Sequence, residues 1–148
     1  MERVYLDICS LKRPFDDQSQ PRVREEAMAV AAIVTRAEAG EIALVRSPAH
    51  LVENDANPRE DRRLAAALWI DGAAVDVPLD ADVEARAGEI AALGVGPLDA
   101  LHLAFAERAE ARWFVTCDDK LLRLAGRLGD ALRTLVVAPP ALAWRSAS

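Results

Sequence analysis

A carboxylate stands inside the first apolar run of this chain, Val4-Tyr5-Leu6-Asp7-Ile8-Cys9-Ser10. The flanking residues suit a buried strand, and burying an unpaired charge among them would cost several kcal/mol. Something must compensate Asp7. Three arrangements do so: a buried salt bridge, a strand that has just emerged at the edge of a sheet, or a metal ion shared with other acids. The remainder of the chain bears on which of them operates.

Apolar segments alternate between two periods. After the opening strand, the turn-rich stretch Arg13-Pro14-Phe15-Asp16-Asp17-Gln18 takes the chain out of the sheet at Ser10 or shortly after. From Pro21, Val23, Ala27, Val30, Ala31, Ile33, Val34 and Ala37 recur at helical spacing, with Gly40 as the stop. A strand is expected over 42–45. Pro48 opens a helix through Val52 and Glu53 that breaks at Asn57-Pro58, because the residue before proline avoids helical geometry. The segment 59–70 reads as an amphipathic helix, apolar at Leu64, Ala67, Leu68 and Trp69.

A strand over 74–77 comes next, then a helix capped by Asp80 or Asp82 and closed by Gly94. Pro97 suits the first position of another helix. Strands over 112–116 and 135–137 flank a helix that starts at Asp118 or Asp119. Such strand–helix alternation implies an α/β fold of three layers, a mostly parallel central sheet with helices on both faces. At 148 residues the chain fits one domain, 1–148, large enough to bury roughly 70% of its unfolded surface without staples.

In an open parallel sheet, ligands bind outside the carboxyl ends of the strands. That rule gathers four acids: Asp7 at the end of the first strand, Glu53 on the helix after the second, Asp99 in the first turn of its helix, and Asp118 after Phe114-Val115-Thr116. Each has a plainer use. Asp118 or Asp119 can cap the following helix and Asp99 can favour its helix dipole, for about 1 kcal/mol each, while most helix glutamates are solvated. If the four do converge, each raises the others' pKa unless a cation intervenes. Carboxylate oxygens suit Mg2+ or Mn2+, and no His-rich or Cys-rich cluster offers a zinc site.

The same residues carry a resemblance. Leu6-Asp7-Ile8-Cys9-Ser10-Leu11-Lys12-Arg13-Pro14-Phe15-Asp16-Asp17, then Glu53, then Gly96-Pro97-Leu98-Asp99-Ala100-Leu101-His102-Leu103-Ala104, then Phe114-Val115-Thr116-Cys117-Asp118-Asp119 resemble, in order, the successive motifs of PIN-domain proteins, which include the VapC-type ribonuclease toxins of bacterial toxin-antitoxin pairs. The resemblance implies an Mg2+- or Mn2+-dependent endoribonuclease, the toxin of such a pair or a relative of one. Its acidic quartet falls on Asp7, Glu53, Asp99 and Asp118. Asp7, Asp99 and Asp118 are then the metal ligands, and Glu53 positions a water or a second metal. Thr116 matches the family's hydroxyl position, whereas Cys9 departs from the small hydroxyl or amide residue usual two places after the first aspartate. The implied partners are RNA, an antitoxin protein and a second copy of the chain.

The competing reading is a PIN-like module that binds RNA or protein without effective cleavage. Two other acid-bearing α/β classes fit less well. An aspartate-nucleophile phosphatase needs an acid where Cys9 stands, and a receiver domain needs an adjacent acidic pair and a late lysine that are both missing.

The net charge of -6 excludes a general nucleic-acid-coating protein but not a nuclease whose own acids lower the count. Basic residues are 16 Arg and 2 Lys; Lys12, Arg13, Arg59, Arg62 and Arg63 are candidates for phosphate contact, with solvated faces as the default. His102, one turn after Asp99, is placed to approach the site, but satisfaction by a backbone carbonyl is the favoured expectation. Cys9 and Cys117 follow strands that the resemblance makes neighbours, so their thiols should lie together beside the acids, close enough to raise the idea of a redox lock. With no pairing motif, no signal segment and no membrane-length apolar run, the expected location is the cytoplasm.

Overall fold

Five parallel strands form one sheet in the order β3-β2-β1-β4-β5 in the computed structural model, which describes residues 1–145. The strands are β1 (Glu2–Leu6), β2 (Ile42–Arg46), β3 (Val75–Asp76), β4 (Trp113–Val115) and β5 (Leu135–Val137). Around them lie α1 (Ile8–Lys12), α2 (Pro21–Glu38), α3 (Pro48–Asp55), α4 (Glu60–Asp71), α5 (Ala81–Ala92), α6 (Pro97–Arg108), α7 (Asp119–Leu128) and α8 (Pro139–Ala143). Parallel neighbours cannot be joined by hairpins, which is why helices separate every pair of strands.

Strand alternation divides the apolar residues between two cores, one per face. Val4 pairs with Leu44 on one side and Trp113 on the other, and together with Leu6, Ile42 and Val115 they meet α1, α2, α4 and α8 through Leu11, Ile33, Ile70 and Leu142. The next residue along each strand points the opposite way. Tyr5 pairs with Val45 and Phe114 and faces α3, α5, α6 and α7 through Ala49, Ile90, Leu103 and Leu121. The expected three-layer α/β fold is what the chain forms.

Two local readings are corrected. The chain leaves the sheet after Leu6, not at Ser10. Asp7 is the N-cap of α1, its carboxylate accepting the Ile8 N–H at 2.8 Å, so Ile8, Cys9 and Ser10 are helical rather than extended. A capping aspartate outcompeted the strand pattern of its neighbours because it satisfies an amide that a helix start leaves free. In α4, Ala66 and Ile70 face the core, while Leu64 and Leu68 are 57% and 74% exposed. The apolar positions of that helix therefore span two faces, and the outer one is exposed, as are Leu51 and Val52 of α3.

Candidate active site

The strand order reverses direction at β1: β2 and β3 extend to one side, β4 and β5 to the other. Such a switch point opens a crevice at the carboxyl ends of the two central strands. Asp7 leaves β1 there, and Thr116, Cys117 and Asp118 leave β4 beside it.

Asp7 is 6% exposed, and both of its oxygens are oriented by the protein. Oδ1 accepts the Ile8 amide, and Oδ2 accepts the Thr116 hydroxyl at 2.9 Å and the Cys9 thiol at 3.4 Å. The Thr116 oxygen in turn accepts the Asp118 N–H at 3.1 Å, so one hydroxyl ties the two aspartates to each other. Asp118 is exposed and spends Oδ1 on the amides of Lys120 and Leu121, as a helix cap. Its capping role and a place at the rim of the crevice coexist, because the second oxygen makes no protein hydrogen bond among the described residues.

Glu53 reaches the crevice from α3 and His102 from α6. Ligand atoms of Asp7, Glu53 and His102 all lie within 4.8 Å of one another. Asp99, one turn before His102, is half-buried; among the described residues neither it nor Asp118 belongs to that 4.8 Å group, although the charges of Asp7 and Asp118 act on Asp99. Burial pushes its carboxyl up to about 6, and the negative charges of Asp7 and Asp118 push it the same way. Burial likewise raises Asp7. Burial would also raise Glu53, but the hydrogen bond from His102 and the Lys12 charge hold its carboxyl below the ordinary range.

Among the described residues no Lys or Arg forms an ion pair with Asp7, Asp99 or Asp118. That removes the buried salt bridge from the three explanations of Asp7. Asp7 and Asp99, carboxylates of raised pKa without a basic ion-pair partner, with oxygens as the dominant donors around them, fit a hard divalent cation.

A family model for the PIN domain matches residues 5–127. The chain belongs to the PIN-domain family. The match takes in the end of β1, the whole of β4 and all four acids. The fold of this PIN domain is similar to that of a chain in the crystal structure of VapBC2 from Rickettsia felis bound to a DNA fragment from their promoter, with a TM-score of 0.56 and 11% identity over 92% of this chain and 98% of that one. At that identity the likeness speaks for the fold. Among curated proteins, none matches the sequence.

His102 is not satisfied by a backbone carbonyl. Its Nδ1 meets the Tyr5 hydroxyl at 2.5 Å and its Nε2 meets Glu53 Oε2 at 2.6 Å. The histidine that does reach a carbonyl is His50, whose Nε2 donates to Leu6 O at 2.7 Å. Sequence spacing carried no signal for Tyr5 or Ser47, which complete this polar cluster, since a tyrosine in a core strand reads as packing.

Most of the candidate phosphate-binding arginines of the PIN domain are occupied. Arg13 pairs with Asp16 and Glu26, Arg62 with Asp16, and Arg63 donates to Asn57 O. Arg59 pairs with Asp61 at 3.8 Å but stays exposed, and the charge of Lys12 acts on Glu53. Asp119, whose role the sequence left open, forms a two-pronged pair with Arg22 that ties α7 to α2. Cys9 and Cys117 are free thiols lying side by side, as expected, the Cys117 N–H donating to Cys9 Sγ at 3.3 Å.

Asp99 gives the PIN domain a pH signature. Its folded pKa of about 6 lies above the ordinary 3.8, so the protonated form favours the folded state. That stabilisation is complete below about pH 4 and is lost as pH rises through about 6. Screening at a half-exposed site reduces it to about 1 kcal/mol. Thermal unfolding of the chelator-treated protein should show higher stability at pH 5 than at pH 7, with the difference shrinking in Asp99→Asn.

Proposed function

We propose that this PIN domain is a divalent-metal-dependent endoribonuclease acting in the cytoplasm as the toxin of a toxin-antitoxin pair or a relative of one. The observation that carries the reading is the set of acids at the β1/β4 switch point: Asp7, Asp99 and Asp118 form no ion pair with Lys or Arg among the described residues, and Glu53, bonded to His102, adds a fourth carboxylate whose charge a bound cation would help to offset. Asp7, Asp99 and Asp118 are the proposed metal ligands, and Glu53 the proposed positioner of the attacking water or of a second metal. Bound there, Mg2+ or Mn2+ would offset charge growing on the phosphodiester oxygens and make a water more acidic.

The chain's own part is orientation. Thr116 and the Ile8 amide hold the Asp7 carboxylate in one rotamer, and Asp118 is held by the amides it caps. Glu53, kept ionised by His102, is able to accept a hydrogen bond from water and turn it toward a phosphorus atom on the Asp7 side. Lys12, whose charge acts on Glu53, is the candidate for steadying the RNA backbone.

Partnership is part of the proposal. The similar Rickettsia felis structure is of a VapBC2 assembly, and in this chain Leu51, Val52, Leu64 and Leu68 expose apolar surface on α3 and α4, which would take an apolar segment of an antitoxin. A homodimer is proposed on the general frequency of twofold assemblies. Among the described residues no helix is long and apolar enough to cross a membrane.

The deciding experiment is digestion of a mixed RNA pool by purified protein with Mg2+, with Mn2+ and with excess EDTA, followed by sequencing of the cut ends. Cleavage is expected with either metal and none with EDTA. Metal-independent RNA binding without cleavage would instead support the binding-module reading.

A further inference from the structure

We infer that His102 is the positioning residue for Glu53, locked in a single tautomer by a one-way chain of buried hydrogen bonds running from Ser47 through Tyr5. The inference rests on the proposed metal-dependent reading only for its metal-binding arm.

Geometry assigns each hydrogen. A carboxylate only accepts, so His102 Nε2 carries a hydrogen and donates it to Glu53 Oε2. Nδ1 then accepts from the Tyr5 hydroxyl at 2.5 Å, and the Tyr5 oxygen accepts from the Ser47 hydroxyl at 2.7 Å. Ser47 Oγ ends the chain by accepting the His50 amide at 3.4 Å. Running it backwards, with Nδ1 donating to Tyr5 and Tyr5 to Ser47, leaves the Ser47 hydroxyl hydrogen without an acceptor among the described residues. A buried unmade hydrogen bond is costly, so the direction is fixed. His50 has no slack either: Nδ1 accepts the Ser47 N–H at 3.1 Å, which forces its hydrogen onto Nε2, facing Leu6 O.

Packing holds the chain's rings. Tyr5 lies stacked between His50, at 4.4 Å between centroids, and Phe114, at 5.2 Å. Tyr5, His50, Ser47 and His102 are at most 1% exposed. Water therefore does not compete for these bonds, and each side chain has one partner arrangement to adopt. Although Asp7, Glu53 and His102 are close enough to share an ion, both ring nitrogens of His102 are already committed. It acts through Glu53, whose Oε1 makes no protein hydrogen bond among the described residues and stays available to the crevice.

Side-chain lengths make the test selective. The amide nitrogen of glutamine overlays the Nε2 position of histidine and can still donate to Glu53, whereas that of asparagine overlays Nδ1 and falls short. Mn2+ binding, followed by isothermal titration calorimetry without RNA, should weaken about 10- to 100-fold in His102→Asn. His102→Gln should recover most of the loss. Long-range 15N–1H spectra of the metal-free wild type should show His102 with hydrogen on Nε2 alone, and Tyr5→Phe, which keeps the ring stack, should mix the tautomers. A wild-type spectrum with hydrogen on Nδ1 overturns the one-way chain whatever the metal does, and it remains decisive if His102→Asn does not fold. Equal Mn2+ affinity in wild type and a folded His102→Asn overturns the positioning role. A wild type that neither binds Mn2+ nor cleaves RNA overturns the metal-dependent reading and the Glu53 role with it, while the tautomer spectrum separately decides the chain.

Discussion

Replacing Asp7 by asparagine should reduce RNA cleavage by at least roughly a hundredfold while leaving the fold as stable as before or more so. The activity loss follows from charge. A metal contributes several kcal/mol to neutralising the transition state, about 1.4 kcal/mol is a factor of ten in rate, and the substitution removes the most buried carboxylate that would hold it. The stability gain has the same origin with the opposite sign. Burial raises the Asp7 pKa, so in the metal-free folded protein at neutral pH the ionised group is held at a cost that a neutral amide does not share. The asparagine oxygen still accepts the Ile8 amide, and its NH2 faces the Thr116 oxygen. Two measurements check this: initial rates on labelled RNA, and melting temperature with and without Mg2+. The wild type should be stabilised by Mg2+ and the variant should not. Cleavage retained within a few-fold of wild type would remove Asp7 from the proposed centre.

The second large effect is structural. Phe114→Ala should cost about 3 to 5 kcal/mol, a large share of the roughly 5 to 15 kcal/mol that holds a domain of this kind together. Phe114 is fully buried at the middle of β4, paired with Tyr5 of β1 and Val136 of β5. Its ring lies nearly parallel to Tyr5, at 8° between planes. Removing it opens a cavity under the tyrosine that holds His102, so the damage should pass from the core to the crevice. Urea unfolding monitored by circular dichroism would measure the loss through the midpoint, and Phe114→Leu, which refills most of the volume, should recover a good part of it. An alanine variant within about 1 kcal/mol of wild type would mean that the sheet collapses around the gap.

Much of the fold was legible without coordinates because its signals are local. Gly40 and Gly94 take positive φ at helix ends, Asp80 caps α5 through the Val83 amide, and Pro97 occupies the first turn of α6. Where the reading failed, two local signals competed. At Ile8-Cys9-Ser10 the apolar pattern favoured a strand and Asp7 favoured a helix start. In α4 the apolar residues cover two faces, and only packing decides which is inside.

For the candidate site, residue types and chain order singled out Asp7, Glu53, Asp99 and Asp118, because a carboxylate at a strand end or in a helix's first turn is visible one element at a time. By itself the sequence determined the alternation of strands and helices, and with it a parallel sheet whose acids lie at the carboxyl ends. Only the tertiary structure decided that the sheet reverses its order at β1, that Thr116 joins Asp7 to Asp118, and that His102 faces Tyr5 and Glu53 instead of a carbonyl. Apart from the Thr116–Asp118 bond, those are contacts between residues about 50 to 110 positions apart in the chain. A hydrogen bond acts across a few ångströms of space and leaves no period or spacing in the sequence that separates its partners.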